Sequence, residues 1–214
     1  MMKLVSVNVG LPREVEWKGR TVSTGIFKEP LNGRIIARRE NLDGDRQADL
    51  TVHGGPYKAI YAYPVEHYDF WRSELPEVEF HWGKFGENFS VSGFNEETLN
   101  IGDLFSIGSA KVMVTQPRLP CYKLALKFNR DDMLKRFVDS RKTGFYFSVT
   151  QEGEVGAGDE IIQLARDENN VTVADIVRLY LKKGGDGSLL ERASKLEALP
   201  ESWRGYFRER LGRL

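Results

Sequence analysis

The stretch Gln116-Pro117-Arg118-Leu119-Pro120-Cys121-Tyr122-Lys123-Leu124 holds the chain's single cysteine in a setting that could do chemistry. Pro120 suits the first position of a helix, where the N–H it lacks would have no intrahelical acceptor. Cys121 then falls in the first helical turn, beside unpaired backbone N–H groups and the positive end of the helix dipole. Arg118 and Lys123 add positive charge on either side. Each effect favours thiolate over thiol, and a thiolate attacks electrophiles and binds soft metals. A lone cysteine is also commonly a small buried hydrophobe, so the residues alone leave both readings open.

Two further segments could bind a ligand. In Gly44 to Lys58, the pair Gly54-Gly55 lets the backbone approach a ligand and turn its N–H groups inward, as anion-binding nests do. Arg46, His53 and Lys58 could supply charge for a phosphate, or the segment could be a turn with solvated charges. The P-loop spacing is absent. In Gly83-Lys84-Phe85-Gly86-Glu87-Asn88-Phe89, Glu87 and Asn88 could hydrogen-bond a heterocycle, or the segment could be a bulged loop. Zinc is a poor fit, because one cysteine and His53, His67 and His81 do not cluster at ligand spacing. A thiol protease would need a histidine near Cys121 in space, and no local protease signature accompanies it.

The elements that must position these residues alternate between short strands and turns. Strand patterns run over Lys3 to Val9, Arg20 to Phe27, Gly33 to Arg38, Ala59 to Tyr63 and Asn88 to Val91. They resume over Leu104 to Ile107, Lys111 to Thr115, Phe145 to Val149 and Glu160 to Leu164. Helical spacing predicts a helix from Pro64 to Glu74, one opening at Cys121, and one from Asp131 to Arg141. Many short strands with glycine turns predict a mostly β fold, a barrel or sandwich with peripheral helices. Residues 1–165 are expected to form that domain. After a polar linker at Ala165 to Asn170, residues 166–214 read as a module of three helices: Thr172 to Lys182, Ser188 to Leu196 and Glu201 to Leu211. Thr172 and Ser188 are the expected caps, and Pro200 begins the third helix. At about 45 residues the module is near the lower limit for independent folding and is expected to pack on the strands.

The 214 residues are 41% hydrophobic and carry 31 basic and 31 acidic side chains. The balanced charge argues against a dedicated nucleic-acid or membrane-surface binder. No apolar run approaches the roughly 20 residues needed to span a bilayer, and the N-terminus reads as a strand, not a signal peptide. One cysteine permits no internal disulfide and fits a reducing compartment, so a cytoplasmic location is expected.

Taken together, these motifs resemble the MOSC domain, named for the C-terminus of molybdenum cofactor sulfurases. The resemblance rests on Val52-His53-Gly54-Gly55, Gly83 to Phe89, Val114 to Leu124, Leu99-Asn100-Ile101-Gly102-Asp103 and Phe105-Ser106-Ile107-Gly108. The helical tail is similar to the accessory domain of a bacterial hydroxylaminopurine-resistance subfamily. The resemblance implies a barrel-like β fold and a molybdenum cofactor (molybdopterin), with Cys121 as metal ligand and catalytic residue. It further implies that His53, Gly54, Gly55, Lys58, Arg118 and Lys123 serve the cofactor's phosphate and pterin, with Glu87 and Asn88 against the pterin.

The implied reaction is reduction of small N-hydroxylated compounds: hydroxylaminopurine, hydroxylamines or amidoximes. No flavin, nicotinamide or iron–sulfur motif is visible, so the electrons are expected from a separate flavoprotein or ferredoxin-type reductase. The chain itself is expected to be a monomer or homodimer. The alternative is a molybdenum-cofactor carrier or sulfur-transfer accessory without turnover, in which Cys121 carries a persulfide. A binding module in which Cys121 is merely packed is the third reading.

Overall fold

The computed structural model describes residues 1–48, 54–181 and 186–213. The first half of the chain supplies β1 (Lys3–Val9), β2 (Arg13–Trp17), β3 (Arg20–Thr24), β4 (Glu29–Pro30), β5 (Arg34–Ala37), β6 (Ile60–Pro64), helix α1 (Glu66–Glu74) and β7 (Phe89–Ser92). There follow β8 (Leu104–Ile107), β9 (Ala110–Pro117), α2 (Tyr122–Phe128), α3 (Met133–Ser140), β10 (Phe145–Gln151), β11 (Gly153–Gly156) and β12 (Ile161–Ala165). The chain closes with α4 (Val173–Leu181), α5 (Gly187–Lys195) and α6 (Glu201–Leu211). Among the described residues no helix is long and apolar enough to cross a membrane.

Eight strands form one sheet in the order β12-β8-β9-β10-β6-β7-β1-β4, and only the β6–β7 pair is parallel. Two ribbons, β2–β3 and β5–β11, stand beside it. The expected barrel is not a closed ladder: the strand order ends at β12 and β4 without returning on itself. The start of β1 nonetheless meets the segment leading into β12: Lys3 bridges Glu160, the Leu4 N–H donates to the Asp159 carbonyl at 2.9 Å, the Gly158 N–H to the Leu4 carbonyl at 2.7 Å and the Ile161 N–H to the Met2 carbonyl at 3.0 Å. The fold is a mixed α and β architecture with a sheet-rich core.

Side-chain alternation splits the interior in two. Ile60 and Ala62 of β6 face the main core with Phe145 and Phe147 of β10, whereas Tyr61 and Tyr63 face an aromatic cluster with Trp71, Phe85 and Phe137. Helices α1 to α3 cover that aromatic face. The terminal helices add Val173, Ile176, Leu190 and Phe207 to the main core, so sheet and module share one continuous apolar cluster.

Most predicted strands are present, with bounds moved by a few residues. Two local readings are corrected, and one strand was missed. Pro64 does not start a helix; it pairs with Val91 as the last residue of β6, and α1 begins at Glu66. Ser188 does not cap α5; Asp186 does, its carboxylate accepting from the Leu189 N–H at 3.2 Å. The charged hairpin strand Arg13–Trp17 was not anticipated, because Arg-Glu-Val-Glu-Trp offers almost no apolar signal. Thr172 caps as expected, accepting from the Asp175 N–H at 3.1 Å while Asp175 accepts from the Thr172 N–H at 2.9 Å.

Candidate functional site

A bulge in β9 builds the site. Phe147 of β10 stands opposite Val114, but the preceding residue, Tyr146, stands opposite Gln116, so Thr115 is an extra residue on β9. A bulge re-aims the side chains that follow it. Val114 points to the main core, and Gln116 shares a cross-strand row with Tyr146 and Tyr61. The Thr115 hydroxyl donates to the Tyr57 carbonyl at 2.7 Å, which docks the 3₁₀ turn Pro56–Lys58 against the same edge. Two residues beyond Gln116, Arg118 lies over the Tyr61 ring, 4.7 Å from its centroid.

Cys121 follows, half-buried, and its position differs from expectation. Helix α2 begins at Tyr122, so Pro120 lies outside it and Cys121 is the extended N-cap residue (φ −121°, ψ 170°). The Cys121 carbonyl already accepts the Leu124 N–H at 2.9 Å, as an N-cap carbonyl does. The helix is only seven residues long.

Cys121 borders an open cleft. Among the described residues four cations line it, Lys28, Lys58, Arg118 and Lys123, and no carboxylate. Lys28 is buried and bridged to Asp45, whose other oxygen accepts from Asn88 Nδ2 at 2.9 Å. Burial lowers the Lys28 pKa, with Asp45 opposing the shift. Burial likewise lowers that of Lys58. Arg118 is only 7% exposed. Burial disfavours its charge, but Tyr61, Tyr146 and Cys121 outweigh that and hold its pKa above the ordinary value. Its Nη1 is buried with no hydrogen-bond partner among the described residues. An unpaired guanidinium nitrogen in a cation-rich cleft is what an anionic ligand would satisfy. A thiol, four cations and an unpaired donor fit a soft metal carried on a phosphorylated organic group.

A second cavity, of about 380 Å³, opens between the sheet and the terminal helices. It shares Lys58, Cys121 and Tyr146 with the first. Its remaining lining comes from Gln116, Pro117, Leu119 and Pro120 on one side and Tyr180, Ser202, Trp203 and Tyr206 on the other.

Of the residues named from sequence, Lys58, Asn88, Arg118, Cys121 and Lys123 line one cleft. Gly54, Gly55 and Glu87 do not line it. His53 lies outside the described residues. Glu87 is fully buried and accepts from Tyr68 and Ser90 hydroxyls and from the Gly83 and Phe85 N–H groups. Both its oxygens are engaged, so it shapes the Gly83–Gly86 turn behind the cleft. Among the described residues no group of three or more His, Cys, Asp or Glu side chains could itself hold a metal ion. Lys28, Tyr61, Tyr146 and Trp203 were not anticipated. Tyr146 had a signal: it alternates with core-facing Phe145 and Phe147.

Comparison with known proteins identifies relatives of the whole chain. The family model described as "MOSC domain" matches residues 49–162, and that described as "YiiM-like, 3-alpha helix domain" matches residues 171–213. YflK of Bacillus subtilis is 41% identical over 211 residues, covering 99% of this chain and 95% of that protein. Protein YiiM of Escherichia coli is 35% identical over 182 residues, covering 84% of this chain and 81% of its own length. A Gibberella moniliformis protein named "Reductase" is 28% identical over 181 residues, covering 83% of this chain but 32% of that protein. The crystal structure of YiiM from Geobacillus stearothermophilus superimposes with a TM-score of 0.83 at 33% identity, over 99% of this chain and 100% of that one. With its thiol at the mouth of a cation-lined cleft and its helical tail on the sheet, the chain belongs to the MOSC-domain family, in the YiiM-like group that carries a three-helix domain.

Proposed function

We propose that the chain is a molybdenum-cofactor-dependent reductase of N-hydroxylated compounds, and that a separate flavoprotein or ferredoxin-type reductase supplies its electrons. The observation that carries this reading is the half-buried Cys121 thiol beside the unpaired Nη1 of Arg118, in a cleft lined by cations. MOSC domains are associated with molybdenum cofactor binding, and the fungal relative named "Reductase" supports turnover over simple carriage.

In this reading Cys121 Sγ holds the metal. Arg118 and Lys123 take the phosphate and the polar edge of the pterin, with Lys58 at the mouth. Asn88 lines the cleft but has both amide groups engaged: Oδ1 accepts from the Tyr61 N–H at 3.1 Å, and Nδ2 donates to Asp45 and the Asn8 carbonyl. It holds the wall in place. The bound cofactor supplies the electron-transfer chemistry. An N-hydroxylated amine takes up two electrons and two protons and leaves as amine and water. Lys58 stands where both cavities meet, and its lowered pKa makes its ammonium a readier proton donor to the departing oxygen. Burial raises the Tyr146 pKa, so its phenol keeps its proton.

The test is molybdenum per chain and turnover of an N-hydroxylated amine, with reduced donor, in wild type and Cys121→Ala, both from a cofactor-producing host. Near-stoichiometric metal and turnover in wild type, both lost in the variant, are expected. Full activity in Cys121→Ala would overturn the assignment. Bound metal with no turnover by any donor would leave a cofactor carrier.

A further inference from the structure

We propose that Tyr146 is a further catalytic residue, whose hydroxyl donates a hydrogen bond to the N–O oxygen of the substrate where the two cavities meet. The inference rests on the reductase reading for the reaction it serves; its account of how an oxygen is recognised does not.

Three side chains border both cavities: Lys58, Cys121 and Tyr146. A group brought to Cys121 from either side therefore lies beside the other two. Register puts Tyr146 there. It stands across from Gln116 of β9 on one side and Tyr61 of β6 on the other, while its neighbours Phe145 and Phe147 face the main core. The Tyr61 ring braces it, with centroids 5.4 Å apart. Tyr61 is fixed in turn, its hydroxyl donating to the Thr143 carbonyl at 2.9 Å.

The direction of the phenolic proton follows from its partners. Arg118 and Tyr146 share a side-chain hydrogen bond. A guanidinium only donates, so the phenolic oxygen accepts and its own O–H is left to point elsewhere. Gln116, across the ladder, is engaged at both ends: Oε1 accepts from Trp203 Nε1 at 2.8 Å, and Nε2 donates to the Tyr57 carbonyl at 3.2 Å. The Lys58 ammonium is a donor only. Of the side chains at the junction that leaves the Cys121 sulfur, a weak acceptor that holds the metal in the reductase reading. The oxygen of an N-hydroxylated substrate is the better acceptor. It gains electron density as its bond to nitrogen lengthens, and a donor already held in place stabilises that charge without reorganising. The roles then divide: Tyr146 orients and polarises the oxygen, Lys58 supplies the proton, and Arg118 positions the phenol.

The measurement is calorimetric binding of benzamidoxime, and of benzamidine, which lacks the oxygen, to protein from a cofactor-producing host with no electron donor present. Tyr146→Phe removes one oxygen atom and keeps the ring on Tyr61. It is expected to weaken benzamidoxime about tenfold while leaving benzamidine within about twofold. With reduced donor, kcat/KM for benzamidoxime should fall about a hundredfold or more, beyond the loss in binding. Molybdenum per chain and melting temperature should match wild type. No benzamidoxime binding by wild type, unchanged binding of both ligands in the variant, or equal weakening of both would overturn the assignment. Loss of molybdenum in Tyr146→Phe would overturn it too, because the phenol would then serve the cofactor. Weakening confined to benzamidoxime, in a protein that turns over no N-hydroxylated compound, would sink the reductase reading and leave the donor standing. Wild-type turnover and binding in Tyr146→Phe would do the reverse.

Discussion

Gln116 stands directly across the ladder from Tyr146, although Val114, two residues before it, faces Phe147 on the other side of the sheet. The bulge at Thr115 makes both pairings possible. It hands the strand from the main core to the site within a single residue. Everything that follows, from the Arg118 guanidinium over Tyr61 to the thiol of Cys121, inherits that change of face.

Arg118→Met separates ligand binding from folding. A buried charge with an unpaired nitrogen contributes little to the stability of the empty protein, and an apolar side chain of similar length fills its place over Tyr61 and Phe137. The melting temperature is expected to shift by no more than about 4 °C. Molybdenum retained per chain is expected to fall well below wild type. A collapse of the melting temperature instead would make Arg118 a structural residue.

Glu87 should behave in the opposite way. Glu87→Ala leaves two hydroxyls and two backbone N–H groups without their acceptor in a buried site. The expected loss is about 3 kcal/mol or more, read from the urea midpoint. Glu87→Gln keeps one acceptor oxygen and should fall between. Folded Glu87→Gln should retain molybdenum as wild type does; loss of metal without loss of stability would place the carboxylate against the ligand.

The contiguous part of the site was legible in the sequence. Arg118, Cys121 and Lys123 sit in one segment whose charge and punctuation point to a reactive thiol. Lys58 follows the Gly-Gly pair closely. The rest depends on contacts between distant segments. Lys28 reaches the cleft because Asp45 holds it there, and Trp203 lies 87 residues beyond its partner Gln116. No local pattern announces either. The bulge was hidden too, since Lys111 to Thr115 alternates cleanly and the change of face comes at its end. The strand periodicity identified most ladders but could not say whether the sheet closes, which depends on pairing between the first strand and the last.

Two glycines with left-handed backbone should respond differently to alanine. At Gly86 (φ +79°) a Cβ would lie 2.7 Å from Ile26 Cγ1, and Ile26 lines the cleft. At Gly55 (φ +91°) a Cβ would meet nothing within 4 Å. Gly55→Ala should cost about 1–3 kcal/mol, the penalty of a backbone conformation (φ +91°, ψ 165°) that only glycine adopts readily. Gly86→Ala should cost more and also reduce cofactor retention, because Ile26 must move. Equal urea midpoints for the two variants would refute the difference.

Lys127 makes stability depend on pH. Its Nζ donates to the carbonyls of Ile26 at 2.9 Å and Gly83 at 2.6 Å, tying the cleft wall to the turn that Glu87 organises. Burial lowers its pKa to about 7; Glu87 and Glu29 oppose the shift, and Lys84 and Lys28 add to it. A neutral amine still has two N–H groups for the two carbonyls. In the unfolded chain the same amine titrates at the ordinary lysine value of 10.5. Between about 7 and 10.5 the unfolded state therefore binds more protons, and stability rises as pH rises through that window. Below pH 7 both states are protonated and the penalty is full. Buried Lys28, also shifted down, adds a slope of the same sign. Urea midpoints from pH 6.5 to 9.5, a range of about three units inside which the effect develops, should climb for wild type and climb less for Lys127→Met. Parallel curves for the two proteins would show that Lys127 titrates normally.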